Sequence, residues 1–213
     1  MALTGYDPST VSTAIDNVNS SYTAILTALV DTNKSSFVDP MSAIWGSPQA
    51  KKFFTDYKNV ITSMCTEVTN VFKSVVESMS SAASSLASIA GASWGAKELS
   101  AVTKELDVSC IKEDIGGVIG IDQQQATSIA SQLDTILQAV RTALQEARTA
   151  VSNSGFVGGE MQSSLLSSLI KIDTNISNSF TEVKSQVVQA IQETVDTYTT
   201  TSTNVSSAFG GGN

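Results

Sequence analysis

Apolar residues recur at steps of three and four along four long stretches of the chain. In the first stretch, most of the intervening positions are Ser, Thr, Asn or Asp, and the apolar positions are Val11, Ile15, Val18, Tyr22, Ile25 and Leu29. This spacing is typical of a helix with one apolar face. It predicts a helix over about 8–33, starting at Asp7-Pro8, where a polar cap precedes a proline in the first turn. We expect the helix to end before Phe37 and the break at Asp39-Pro40.

A longer stripe predicts a second helix over about 47–90. Ser47 is a typical N-cap residue, and Pro48 fits the first helical position. The apolar positions of this stripe are Phe54, Tyr57, Ile61, Met64, Val68, Val71, Val75, Met79, Ala82, Leu86 and Ile89. The two helices together predict a first helical hairpin over residues 1–92.

Four residues mark the hinge of this hairpin. Gly46 follows Trp45 at the predicted turn, and glycine can take backbone angles closed to other residues. Phe53 comes eight residues after Trp45, about one helical turn past Ala50. Large aromatic side chains at this place can fill the end of the groove between two antiparallel helices. We therefore expect Trp45, Gly46, Ala50 and Phe53 to fix how the helices meet.

The segment 93–121 is less regular and predicts a connector. We expect a short helix from Ala96 to Leu106, and a short strand at Val118–Ile121 is the one sheet element that the pattern allows. Four carboxylates in the connector could be considered as a cation site, but they lack the glycine and the spacing of a calcium loop. They are Glu105, Asp107, Glu113 and Asp114.

The remaining chain repeats the same plan and predicts a second hairpin over 122–207. Its helices are expected over about 122–152, capped by Asp122, and about 160–200, followed by a disordered tail at 208–213. The predicted apolar stripe of the third helix is Ile129, Leu133, Ile136, Val140, Leu144, Ala147 and Val151. That of the fourth helix is Leu165, Leu169, Ile172, Ile176, Phe180, Val183, Val187, Ile191, Val195 and Tyr198.

Phe156 and Gly158 lie at the predicted second hinge, in the same way as Trp45 and Gly46 lie at the first. The chain thus has the layout of a diverged tandem repeat. A lone amphipathic hairpin exposes its apolar face, whereas two hairpins can bury their faces against each other. We predict an all-α fold in which two long helical hairpins pack as an antiparallel four-helix bundle.

The composition of the chain argues against several kinds of binding and catalysis. The net charge is -8 and the isoelectric point is near 4.4, which argues against nucleic-acid binding through a basic face. The chain contains no histidine, the commonest general base and metal ligand. Cys65 is expected to be a buried apolar residue, and a Cys65–Cys110 disulfide is compatible with the sequence but not required by it. We expect no enzymatic activity, cofactor, metal or small-molecule substrate.

The N-terminal sequence lacks the basic and apolar regions of a secretory signal peptide. No apolar run reaches the roughly 18–20 residues that a membrane-spanning helix needs. We therefore expect a protein that does not insert in membranes. It is either secreted without a cleaved signal peptide or cytoplasmic before export.

The first hairpin resembles the WXG family, the early-secreted-antigen-like substrates of type VII secretion. That family has a Trp-x-Gly turn between two helices, a small residue soon after it, and an aromatic residue about eight positions past the tryptophan. Trp45, Ala50 and Phe53 match this layout, but Gly46 lies one position early. In the second half Phe156 replaces the tryptophan, and Gly158 holds the family's glycine position. Family members are about half as long and pair as dimers, so the resemblance implies a fused pair.

The resemblance also implies an export signal, Tyr-x-x-x-Asp/Glu, after the second helix. Tyr198 does not provide one, because Ser202 stands four residues later. Trp94 and Glu98 have the required spacing and would share one face if the segment were helical. The alternative interpretation is a tryptophan that packs over the end of the bundle beside a solvated glutamate.

Three functions fit these features. The resemblance implies a helical interaction protein, either a secreted type VII substrate or a targeting partner of a larger secreted effector. Its partners would be proteins, namely the secretion machinery or that effector, and the chain itself would be a monomer with internal pairing or a weak oligomer. The alternatives are a pore-forming or membrane-active toxin component and a self-assembling exported structural protein.

Overall fold

The computed structural model describes residues 7–155 and 159–210, with side chains described as far as residue 204. The chain is mostly helical. Its elements are α1 (Pro8–Leu26), α2 (Asp39–Ser42), β1 (Trp45–Gly46), α3 (Pro48–Ile89), β2 (Gly120–Ile121), α4 (Gln123–Ala130), α5 (Gln132–Ser152) and α6 (Glu160–Gly210). The predictions of a predominantly helical fold and of a helix starting at Pro48 with Ser47 as its cap are confirmed.

The long helices pack against one another in antiparallel pairs. Helix α1 contacts α3 and α5, and α6 contacts the same two helices. Side-chain hydrogen bonds join Tyr22 to Thr69 and Asn33 to Tyr57, so α1 and α3 run in opposite directions. Gly155, which follows α5, lies beside Thr10 at the start of α1, so α5 is also antiparallel to α1. The chain between α3 and α5 must therefore return along the helices.

The core consists largely of the predicted apolar stripes. Apart from the half-buried Ile129, the predicted positions of the third helix are buried, as are all those of the first helix and those of the fourth as far as Ile191. The end of the α3 stripe was wrong: Leu86 is 36% exposed and Ile89 85% exposed, while Ala83 and Ala87 are buried. A helix has 3.6 residues per turn, so a pattern of threes and fours drifts around a helix of this length.

The first helix continues beyond the predicted end at residue 33. Two π-helical turns, Thr27–Thr32 and Lys34–Val38, join α1 to α2, which runs through the predicted break at Asp39-Pro40. A proline ring in a regular helix meets the carbonyl group four residues earlier. The π turn before Pro40 has an additional residue, which displaces that carbonyl group.

The connector does not contain the predicted helix from Ala96 to Leu106. Residues 92–108 have no regular secondary structure, and we call residues 94–107 the strap. The strap lies along α1 and α3 and its main chain is bound by their side chains instead of by a helix of its own. Tertiary hydrogen bonds thus replace the local ones that the helical prediction assumed.

The second half differs from prediction at three places. The third helix begins after the Asp122 cap as predicted but is interrupted at Ser131, which separates α4 from α5. Helix α6 extends past residue 200 and through Gly210, so the predicted tail is helical at 208–210, and 211–213 lie outside the described residues. Tyr198, assigned to the apolar stripe, is 60% exposed, whereas Thr194 is buried.

Candidate functional site at the aromatic hinge

The first hinge is a two-stranded ladder. Trp45 pairs with Ile121 and Gly46 pairs with Gly120 in antiparallel register. A β-carbon added to Gly46 would lie 2.6 Å from the carbonyl carbon of Asp114 and 2.7 Å from the backbone nitrogen of Ile115. The residues described with a positive φ do not include Gly46. The expected reason for this glycine was therefore wrong: close approach of a neighbouring backbone requires it.

Trp45 joins this hinge to the last helix. Its side chain is fully buried, and the indole N–H donates to the Ser47 hydroxyl oxygen at 3.0 Å and to the Thr194 hydroxyl oxygen at 3.1 Å. The Ser47 oxygen also accepts the Ala50 backbone N–H at 2.9 Å, which caps α3. The Ser47 hydroxyl oxygen thus accepts hydrogen bonds from both the first turn of α3 and the indole. The hydrogen bond from the indole to Thr194 links this end of α3 to α6.

Aromatic rings fill the space below the ladder. We call Phe37, Trp45, Phe53, Phe54 and Tyr57 the hinge cluster. Trp45 stacks on Phe53 with ring centroids 6.0 Å apart, and Phe53 stacks on Tyr57 at 5.8 Å. Phe37 meets Tyr57 edge to face at 5.3 Å. Such pairs add to the free energy of burial, so the cluster holds the ends of α1 and α3 in a defined arrangement.

A buried polar pair borders the cluster. The Asn33 amide donates to the Tyr57 hydroxyl group at 2.6 Å and to the Leu29 carbonyl oxygen at 3.1 Å. The Asn33 amide oxygen has no hydrogen-bond partner among the described residues. Burial raises the pKa of Tyr57 far above its usual range, with the Asn33 hydrogen bond acting weakly in the opposite direction. Tyr57 is therefore neutral near pH 7 and packs within the hinge cluster.

The predicted motif residues have different outcomes. Four of them lie together at the hinge: Trp45, Gly46, Ala50 and Phe53. The side chains of Trp45, Ala50 and Phe53 are buried. Phe156 and Gly158 lie outside the described residues, so their predicted role stays a prediction. Gly155, which follows α5, is the last residue described before them.

Trp94 and Glu98 do not share a helix face, because residues 92–108 have no regular secondary structure. The Trp94 indole donates to the Ser80 hydroxyl oxygen at 3.3 Å and is half-buried, whereas Glu98 is exposed. The helical geometry assumed for this candidate export signal was wrong. Its role in export stays a prediction.

The carboxylates of the connector pair with lysines of the first hairpin. Glu105 lies 2.5 Å from Lys58, and Glu113 lies 2.8 Å from Lys51. Within residues 7–155 and 159–210, no group of three or more His, Cys, Asp or Glu side chains is placed to hold a metal ion. These ion pairs attach the connector to the first hairpin.

The two cysteines form no disulfide, and Cys65 is buried as expected. Burial raises the pKa of the Cys65 thiol to about 11, an effect that the nearby Lys104 ammonium group partly opposes. The thiol is therefore protonated at neutral pH and behaves as an apolar side chain.

Sequence reasoning missed several residues of the hinge. Phe37 was placed after the first helix, and Thr194 was missed because it is polar and lies 149 residues from Trp45 along the chain. Helical spacing could have indicated that Thr194 lies on the buried face of α6, because it follows Ile191 by three positions. No local signal indicated that its hydroxyl group meets the indole.

Comparison of the chain with protein-family models, with curated proteins and with solved structures gave no match. Among the described residues, no helix combines the length and the apolar composition needed to cross a membrane.

Proposed function

We propose that this chain is a non-enzymatic helical interaction protein of a type VII-like secretion system, acting as a secreted substrate or as the targeting partner of a larger secreted effector. The observation that carries the proposal is the hinge: a buried tryptophan at the turn between two long antiparallel helices stacks on the aromatic residue eight positions later. The resemblance to the WXG family rests on those same residues.

The packing of the second half supports a fused pair. Helices α5 and α6 contact each other, and they also contact α1 and α3, respectively. From these contacts we infer an antiparallel four-helix bundle built from two hairpins. Thr194 of the second hairpin reaches the Trp45 indole of the first. In this proposal the second hairpin takes the place that a separate partner chain takes in the family's dimers.

Export is the direct test. A tagged copy of the chain would be expressed in a bacterium with an active type VII system and in the same strain without the secretion motor protein. We expect the protein in the culture supernatant of the first strain only, with a cytoplasmic marker absent from both supernatants. Equal amounts in both supernatants, or retention in both strains, would count against the proposal.

The candidate signal can be tested without disturbing the fold. The side chain of Glu98 is exposed, so Glu98→Gln removes its charge with little effect on packing. Glu77→Gln is the matched control, since Glu77 is exposed on α3 and lies 3.8 Å from Lys73. We expect the first variant alone to reduce export; equal export of both variants would remove Glu98 from the signal.

A further inference from the structure

The main chain of the strap is bound by side chains of the first hairpin. The Asn19 amide oxygen accepts the Ser100 N–H at 2.9 Å, and its nitrogen lies 3.5 Å from the Glu98 carbonyl oxygen. The Tyr22 hydroxyl oxygen lies 3.3 Å from the Val102 nitrogen and 3.2 Å from the Val102 carbonyl oxygen. Main-chain groups of Glu98, Ser100 and Val102 are thus bound by side chains of α1.

A third main-chain contact comes from α3. The Ser80 hydroxyl oxygen accepts the Lys97 N–H at 2.9 Å. Side chains from both helices therefore bind the strap through groups that every residue except proline carries. Recognition of this kind depends little on the identity of the bound side chains.

Charged pairs of both signs add a preference for a defined charge pattern. The Lys97 ammonium group lies 2.6 Å from Asp16 and 3.3 Å from the Ser12 carbonyl oxygen. Lys104 pairs with Asp31 and lies 3.2 Å from the Thr27 hydroxyl oxygen, and Glu105 lies 2.5 Å from Lys58 of α3. An occupant of this groove therefore needs two cations at the separation of Asp16 and Asp31 and a carboxylate opposite Lys58.

The lysine spacing fits a non-helical chain. Fifteen helical residues from Asp16 to Asp31 span about 22 Å. Seven residues span at most about 23 Å when extended and only about 10 Å in a helix. The strap has no regular secondary structure and one tight turn, in which the Ala101 N–H donates to the Leu99 carbonyl oxygen at 2.8 Å. A non-helical strap therefore brings each lysine closer to its aspartate than a helical one would.

We propose that the groove between α1 and α3 is a binding site for a non-helical peptide segment, that the strap is its resident occupant, and that a segment of a partner protein can replace it. The partner segment would present lysines seven residues apart with a carboxylate directly after the second lysine, and no proline at the positions whose N–H groups are bound. This inference rests on the proposed role in protein interaction, but its test does not involve export.

The strap is held in a way that permits exchange. Its ion pairs are partly exposed, and such pairs contribute little to stability. Leu106 is its fully buried apolar anchor. The Tyr22 ring is fully buried and lies tilted against Phe72 with ring centroids 5.8 Å apart, so the groove side of the contact belongs to the helical core.

The probe is a fluorescent synthetic peptide with the sequence of residues 94–107. Its binding would be measured by anisotropy to the full chain and to the Lys97→Ala/Lys104→Ala variant, which weakens only the resident strap. Loss of two partly exposed ion pairs should raise the fraction of open groove, and with it the apparent affinity, about fivefold. The control is Lys184→Ala, which removes a comparable pair with Asp134 on the second hairpin and should leave the affinity unchanged.

A second peptide tests main-chain recognition. In the Ser100→Pro peptide the N–H that Asn19 accepts is absent, and we expect at least tenfold weaker binding. Equal binding of both peptides, or no binding to the lysine variant at millimolar peptide, would overturn the inference. The result is independent of secretion, so a chain that fails to be exported can still bind the peptide.

Cys65 reports where the peptide binds. Its thiol is buried on α3 and lies near Lys104. In a Cys110→Ser background, the rate of Cys65 labelling by a maleimide should rise in the Lys97→Ala/Lys104→Ala variant and fall again when the peptide is added. A bound peptide that leaves the labelling rate unchanged would show binding elsewhere and would overturn the assignment to this groove.

Discussion

Replacement of Gly46 by alanine tests the structural reason for the hinge glycine. The added β-carbon would lie 2.6 Å, 2.7 Å and 2.8 Å from atoms of Asp114 and Ile115, and two of these atoms are backbone. Contacts this short require the two backbones to separate. Overpacking of this kind costs about 1–3 kcal/mol, and we expect the upper part of that range because backbone atoms cannot move aside as a flexible side chain can.

The expected loss can be measured by thermal unfolding. For a chain of this size, 1 kcal/mol lowers the melting temperature by about 2–4 °C, so Gly46→Ala should lower it by about 6–12 °C. Circular dichroism at 222 nm follows the helices, and urea unfolding at 25 °C gives the free energy independently.

Gly120→Ala is the matched control, because Gly120 pairs with Gly46 in the same ladder but has no atom within 4 Å of an added β-carbon. We expect it to change stability by less than about 0.5 kcal/mol. Ile115→Ala should restore only part of the loss, since it removes one of the three close contacts. Equal effects of the two glycine substitutions would refute the argument from close approach.

Two further perturbations concern buried polar groups. Trp45→Phe removes the indole N–H that Ser47 and Thr194 accept; a double-mutant cycle with Thr194→Val should give a coupling of about 1 kcal/mol, and additive effects would contradict the hydrogen bond. The Cys65 thiol has a pKa of about 11 in the native protein against 9.0 as its ordinary value, so stability present below pH 9 should fall as the pH rises towards 11, by roughly 2 kcal/mol. Urea unfolding from pH 8 to pH 10 should show about 1.3 kcal/mol of this loss in the native sequence and not in Cys65→Ala, whereas the same slope in both would assign it to other groups.

The helices could be predicted from the sequence because their signals are local. A cap and a proline mark the start of α3 at Ser47 and Pro48, and the apolar stripe from Val11 to Leu29 defines the buried face of the first helix. Burial of one stripe against another provides most of the stability of such helices. The same periodicity was misleading where alanines replace larger residues, as at Ala83 and Ala87, and at Tyr198, which is exposed.

The hinge was predicted in part. The tryptophan, the glycine and Phe53 are neighbours in sequence, and the turn between two helices brings them together. The contact of Trp45 with Thr194, and that of Gly46 with Ile115, depend on segments far along the chain. Such contacts follow from the relative placement of the hairpins, which no local pattern of polar and apolar residues contains.

The strap follows from the direction of the helices. Gly155, after α5, lies near Thr10 at the start of α1, whereas Trp45 lies at the other end of that helix beside Thr194. The two hinges are therefore at opposite ends, and the chain that leaves α3 must return along its full length, about 60 Å for 42 residues, before α4 can begin. Two separate hairpins packed in this way would need no such return, and their α1–α3 groove would stay open. In the proposed fused pair, the connection between the hairpins supplies the segment that occupies the groove, so competition between the strap and an external peptide tests a property of that connection.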